Sequence, residues 1–187
     1  IIDEVDRLRD ITEEYLVYAR LPSSELEREN LVDVVHNLVD FHRSEWNQRD
    51  VDVKLQVDRE EIEVEIDSNH LRQALLNVVK NAVEASPEGE TVEVSVADTG
   101  DTIAIRVRDH GPGLDDQIRD RLFEPFATTK SDGTGLGLAM TQQIIEEHRG
   151  KIRAENLAEG GCQFVLEIPK EAETHPPPAP EETAAAD

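Results

Sequence analysis

Residues 131–140 read Ser131-Asp132-Gly133-Thr134-Gly135-Leu136-Gly137-Leu138-Ala139-Met140. Three glycines on alternate positions run straight into an apolar segment with helical spacing. Glycine has no Cβ, so such a turn lets the backbone approach a ligand closely or take φ > 0. A helix starting here offers free N–H groups at its first turn, an arrangement suited to holding phosphate. A tight loop that merely begins a helix has the same composition. The surrounding segments decide between the two.

Immediately upstream, Leu122-Phe123-Glu124-Pro125-Phe126 puts two aromatics into a loop, where they cover something or anchor a movable lid. Thr128, Thr129 and Lys130 follow, bringing hydroxyls and a cation to the glycine turn; a solvated lysine is the plainer reading of Lys130. Further back, Asp109-His110-Gly111-Pro112-Gly113 follows a strand. A carboxylate there can accept from an exocyclic amine while the glycines leave room for a flat ring. The same residues are also the commonest turn formers. Earlier still, Asn77 and Asn81 lie four apart on one face of an apolar helix. Asparagine is a poor helix former and needs partners when buried. A hydrated Mg²⁺ would serve, because a carboxamide oxygen is a hard ligand; neighbouring backbone would serve as well.

The periodicities place these segments in a domain. Residues 1–20 carry apolar positions at Ile1, Val5, Leu8, Ile11, Tyr15, Leu16 and Ala19, a helical stripe that Pro22 ends. The stripe needs cover, either from the chain's own domain or, preferably, from a helical hairpin or dimer seam. Residues 22–30 read as polar linker. Asn30 or Asp33 caps a helix over 31–48, with Leu31, Val34, Val35, Leu38, Val39, Phe41 and Trp46 on its apolar side. Residues 51–57 and 62–66 alternate and are expected to form a hairpin. A long helix spans 69–85, capped by Asp67 or Ser68. Strands follow at 91–97 and 102–108, a short helix at 115–122, a loop to 135, a helix at 136–148, and strands at 151–156 and 163–168. From residue 170 the chain turns to Glu, Pro and Ala and is expected to be disordered. The expected fold is α+β: a two-layer sandwich, its mixed, mostly antiparallel sheet covered on one face by helices. The expected divisions are 1–21, 22–30, 31–169 and 170–187.

Composition narrows the chemistry. Against 19 Lys and Arg stand 42 Asp and Glu, a net charge of −23 in 187 residues. So acidic a chain repels nucleic acid and anionic membrane surfaces, and it must handle any polyanion through amides, a few cations and a metal ion. Cys162 is the single cysteine, so no internal disulfide forms and a reducing, cytoplasmic setting is expected. No apolar run is long enough to span a membrane. The chain opens without Met in mid-helical pattern and reads as part of something longer. A P-loop is absent. Met140 stands where a dinucleotide fingerprint needs a third small residue.

Taken in order, Asn77…Asn81, Asp109-x-Gly-x-Gly, Phe123…Phe126-x-Thr-Thr-Lys and Gly133-x-Gly-x-Gly resemble the N, G1, F and G2 boxes of the Bergerat-fold (GHKL) ATPases. Within them the likeness is to the ATP-binding domain of bacterial sensor histidine kinases, over residues 31–168. The Asn81-to-Ala85 and Phe-x-Thr-Thr-Lys variants look like the nitrogen-regulation and oxygen-sensing subclass. Residues 1–21 resemble the second helix of the kinase dimerisation hairpin.

The resemblance implies ATP and Mg²⁺ as ligands. Asp109 would accept from the adenine amino group, in a pocket shaped by Gly111 and Gly113. Asn81 would ligate Mg²⁺. Asn77 would sit by the phosphates, where gyrase and chaperone relatives carry a glutamate base; an amide cannot take a proton from water, so hydrolysis should be poor. Phe123 and Phe126 would anchor the lid. Lys80, Thr129 and Lys130 would reach phosphates. Gly133, Thr134, Gly135, Leu136, Gly137 and Leu138 would cradle them. Asn77 and Lys130 are the residues expected to take part in catalysis. None of His36, His42, His70, His110, His148 or His175 has the setting of the family's phosphoacceptor, so the acceptor is expected upstream of residue 1, on a hairpin acting in cis or in trans within a homodimer. The resemblance implies γ-phosphoryl transfer to that histidine and relay to a response regulator receiver domain. The rivals are a gyrase- or chaperone-type ATPase, a serine kinase, and a non-catalytic nucleotide-gated module.

Overall fold

A computed structural model describes residues 2–130 and 133–170. Ile1, Ser131, Asp132 and residues 171–187 of the tail expected to be disordered from 170 lie outside the described residues, as do the side chains of Val5 and Leu8. The elements are α1 (Ile2–Ala19), β1 (Glu27–Asn30), α2 (Leu31–Asn47), β2 (Asp52–Val57), β3 (Glu63–Ile66), α3 (Ser68–Ala85), β4 (Thr91–Asp98), β5 (Thr102–Arg108), α4 (Asp116–Arg119), α5 (Gly137–Glu147), β6 (Lys151–Asn156) and β7 (Cys162–Pro169).

Five strands form one sheet in the order β2-β4-β5-β7-β6. The β2–β4 pair is parallel and the other three are antiparallel, so the sheet is mixed and mostly antiparallel. Alternation sorts its faces. Val92, Val94 and Val96 of β4, Ile103, Ile105 and Val107 of β5, and Phe164, Leu166 and Ile168 of β7 are buried in one cluster. Leu31, Val35, Leu38 and Trp46 of α2, Leu71, Leu75, Val78 and Val79 of α3, and Ile145 of α5 complete that cluster. Each such side chain withdrawn from water contributes about 1.5–3 kcal/mol. Helices therefore lie over one face of the sheet, the two-layer α+β arrangement expected.

Three expectations needed correction. First, β3 does not pair with β2. It pairs antiparallel with β1, Glu27 opposite Ile66 and Asn30 opposite Glu63, in a separate two-stranded sheet. Part of the supposed linker at 22–30 is therefore a strand. Asn30 explains the pairing locally: its Oδ1 accepts from Val32 N at 3.2 Å, capping α2, and from Ile62 N at 3.0 Å. Second, Phe41 is not on the buried side of α2 but is 80% exposed. Third, the short helix expected over 115–122 is a single turn, α4, capped by Asp115.

α1 meets its own domain at its foot. Tyr18 and Leu21 pack against Ala74, Met140 and Ile144, whereas Tyr15, Leu16 and Val17 remain exposed. The segment after it is fastened at Ser24. Ser24 N and Oγ donate to Glu147 Oε2 at 3.1 and 2.7 Å, and Oγ lies 2.9 Å from His70 Nδ1. Glu25 N donates to Asp67 Oδ2 at 3.1 Å. Asp67 also caps α3 through Asn69 N and His70 N. No helix among the described residues is long and apolar enough to cross a membrane.

Candidate functional site

α3 organises the site. Asn77, Asn81 and Ala85 stand on successive turns of one face, about 6 Å apart at 1.5 Å per residue. Each meets a different segment. Asn77 Nδ2 donates to Gly137 O at 3.1 Å, which ties the helix to the glycine turn. Asn81 Oδ1 accepts from Lys130 Nζ at 2.8 Å. Beside Ala85 runs the Asp109–Gly113 turn, so close that a Cβ on Gly111 would sit 2.6 Å from Ala85 O. A face about 12 Å long thus has the glycine turn at one end, a cation in the middle and the buried acid at the other.

Asp109 directly follows β5 and is 3% exposed. Its Oδ1 accepts from Gly111 N at 2.9 Å and Cys162 N at 3.1 Å. Among the described residues no hydrogen bond reaches Oδ2. Burial pushes the carboxyl above its ordinary value; those two N–H donors and the neighbouring His110 pull it back without cancelling the rise. The acid is therefore held rigid with one oxygen committed and one left to accept. Asn156 fixes the segment beyond it, its Oδ1 accepting from Leu114 N at 2.6 Å and its Nδ2 donating to Leu114 O at 2.9 Å. Cys162 is free and buried, and burial, with Asp109 nearby, pushes its thiol up to about 12.

The glycine turn leads into α5 as expected. Leu136 is the N-cap residue and is buried, and no side chain caps the helix. The first N–H groups of α5 are thus left for an anion, which the helix end favours. Thr134 Oγ1 accepts from Leu136 N at 3.3 Å and donates to Glu14 of α1. Gly135 takes φ 70°, and a Cβ there would lie 2.5 Å from the carbonyl carbon of Phe126. Leu138 packs on the core. Gly133 closes a turn on Thr128 and Lys130: its N–H donates to Lys130 O at 3.3 Å.

The two phenylalanines part company. Phe123 packs against the core. Phe126 is 56% exposed, has φ 66°, and stacks on Tyr15 of α1 with ring centroids 6.2 Å apart. Its contact is therefore with α1 and not with the core. Thr129 and Lys80 are exposed; Thr128, not Thr129, braces the turn, its Oγ1 accepting from Lys130 N at 3.1 Å. Sequence reasoning also missed Glu84, whose Oε2 lies 2.5 Å from Lys130 Nζ. Its place three residues after Asn81, on the same helix face, was the available signal.

The donor set suits a magnesium ion. Asn81 Oδ1 is a hard oxygen, Glu84 stands beside it, and both already hold a cationic group. Two hollows in the surface, one between α2 and β2, lie away from these residues and share none of them.

Residues 66–172 match the family described as histidine kinase-, DNA gyrase B-, and HSP90-like ATPase. Sporulation kinase A of Bacillus subtilis (strain 168) is 32% identical over 172 residues, 91% of this chain and 28% of that protein. The signal transduction histidine-protein kinase AtoS of Escherichia coli (strain K12) is 32% identical over 170 residues, 90% of this chain and 28% of that one. The chain thus spans little more than a quarter of these curated relatives. The solved catalytic domain of histidine kinase ThkA superposes with a TM-score of 0.72 at 33% identity, covering 78% of this chain and 96% of that one. ThkA in complex with the response regulator protein TrrA gives 0.78 at 31% identity, over 91% of this chain and 49% of that one.

Proposed function

The chain belongs to the histidine kinase-, DNA gyrase B- and HSP90-like ATPase family, as a catalytic domain of the sensor histidine kinase kind, and from that premise we propose that it binds ATP with Mg²⁺ along α3 and presents the γ-phosphoryl group for transfer to a histidine. The observation that carries this reading is the sequence of contacts along one helix face: the uncapped α5 start at Asn77, a cation at Asn81, and the buried Asp109 turn at Ala85. That order matches a nucleotide laid out from terminal phosphate to base.

Asp109 Oδ2 accepts from the adenine amino group, since Oδ1 is already committed. Gly111 and Gly113 hold the turn clear of the ring. The amides of Gly137 and Leu138 receive phosphate oxygens, with Gly133, Thr134, Gly135 and Leu136 shaping the approach. Asn81 offers its oxygen to the metal, and Mg²⁺, when bound, neutralises phosphate charge. Lys130, with Lys80 and Thr129 on the exposed rim, supplies further positive charge and a hydroxyl. Asn77 cannot act as a base toward water because its amide does not take up a proton. Positioning and charge compensation therefore carry the catalysis, as phosphoryl transfer generally requires.

The acceptor histidine lies outside residues 1–187, on a hairpin whose second helix is α1, and the exposed Leu16 faces that hairpin in a homodimer, while Tyr15 is taken up by Phe126. The phosphoryl group then passes to an aspartate of a response regulator. A cytoplasmic location follows from this role. Calorimetry with ATP at millimolar Mg²⁺ tests the binding; labelled ATP with an added hairpin bearing a histidine tests the transfer. Label on histidine is the expected result. Free phosphate would make the domain an ATPase, and no nucleotide binding would end the proposal.

A further inference from the structure

Lys130 is a lysine on an exposed loop, yet it is held at both ends. Its root is fixed by a closed turn, with Lys130 N on Thr128 Oγ1 at 3.1 Å and Gly133 N on Lys130 O at 3.3 Å. Its tip lies between two α3 oxygens, Asn81 Oδ1 at 2.8 Å and Glu84 Oε2 at 2.5 Å. The geometry points to a counter-ion latch: Lys130 occupies the metal position in the nucleotide-free domain, and Glu84 is the positioning residue that holds it there. This rests on the proposed role of Asn81 as metal ligand.

The physical argument is exclusion. A Mg²⁺ ion sits about 2.0–2.1 Å from a ligating oxygen and keeps several waters. Lys130 Nζ already uses the same Asn81 oxygen. Both cations cannot crowd that atom, so metal entry turns the ammonium out. The displaced lysine is rooted four residues before Thr134 in the chain, beside the phosphates' approach, and it takes its charge there. Glu84 stays behind, one turn along α3 from Asn81, where its carboxylate accepts from the metal's waters. The site thus keeps a cation in either state. Metal without nucleotide gains nothing that Lys130 does not already supply, so metal and nucleotide enter together. The Lys130–Glu84 pair is partly exposed, with side chains 45% and 25% accessible, so the latch opposes metal only severalfold.

The test uses Mn²⁺ without nucleotide, with free ion read by electron paramagnetic resonance, on the purified chain. Wild type should retain Mn²⁺ weakly. Lys130→Met should retain it about two- to fivefold more tightly, the reach of one partly exposed ion pair. Lys130→Met combined with Glu84→Gln, or with Asn81→Ala, should lose the gain. Lys130→Arg, which keeps the charge, should behave like wild type. In parallel, Glu84→Gln should speed hydrogen exchange at the amides of 128–130 in the nucleotide-free protein. Equal Mn²⁺ retention by wild type and Lys130→Met overturns the latch, as does unchanged exchange in Glu84→Gln. ATP–Mg²⁺ calorimetry on wild type separates the two levels. Binding there with no Mn²⁺ gain refutes the latch alone, and no binding refutes the nucleotide reading beneath it.

Discussion

Replacing Asp109 by asparagine should reverse the purine preference of the site while leaving the fold at least as stable. The substitution keeps the shape. Oδ1 still accepts from Gly111 N and Cys162 N, but an N–H group replaces the free Oδ2. With ATP, a hydrogen bond to a charged acceptor, about 1.5–3 kcal/mol, is lost and two donors are opposed, about 1–3 kcal/mol more. The sum, roughly 2.5–6 kcal/mol, is a loss of about 10²- to 10⁴-fold in affinity. Inosine triphosphate carries a carbonyl oxygen where ATP carries the amino group, so the new N–H should recover most of its binding.

Stability moves the other way. Asp109 is held above its ordinary value chiefly by burial, so the folded state favours the uncharged form and the neutral amide relieves that cost at neutral pH. Calorimetry with both nucleotides and a thermal melt decide the matter. Undiminished ATP affinity, equal loss of both nucleotides in a folded variant, or a midpoint lowered by more than about 4 °C, more than 1 kcal/mol for a domain this size, would each refute the reasoning.

Three more expectations can be checked together. In wild type, ATP affinity should fall as pH is lowered through the raised Asp109 value, because the protonated acid presents an O–H to the amino group; Asp109→Asn should show no such titration. The linked stability has the opposite sign, being present below the unfolded carboxyl value and lost as pH rises through the folded one. Gly135→Ala forces an L-residue to φ 70° with its Cβ 2.5 Å from a Phe126 backbone atom. It should cost about 1–3 kcal/mol, lower the melting midpoint by several degrees, and weaken nucleotide binding tenfold or more in a titration. Cys162, with its thiol at about 12, is about one part in ten thousand thiolate at pH 8. Native protein should therefore resist a disulfide reagent that labels the urea-unfolded chain at once.

The four boxes were legible because each is a local pattern whose chemistry is carried by neighbours in sequence. Asp109 with Gly111, and Gly135 with Leu136, sit in turns that the residues themselves dictate. Strand partners were not legible in the same way. Val51, Val53, Leu55 and Val57 alternate just as Ile62, Val64 and Ile66 do, and alternation gives a buried face but not a neighbour. The partner of β3 is Glu27–Asn30, which carries no apolar residue to announce it. The lysine that meets Asn81 lies 49 residues further along, a distance no period spans. Phe41 fits the stripe of α2 yet points to water beside His42, since a helix stripe fixes a direction only to within a turn.

Ser24 stands between a rod, α1, and the two helices α3 and α5, and it grips both of these. Its backbone and hydroxyl hold Glu147 at the end of α5, while its hydroxyl and the next amide hold His70 and Asp67 at the start of α3. A tether fastened at its midpoint transmits torque instead of taking up slack. Any displacement of this segment therefore loads the start of α3 and the end of α5 together.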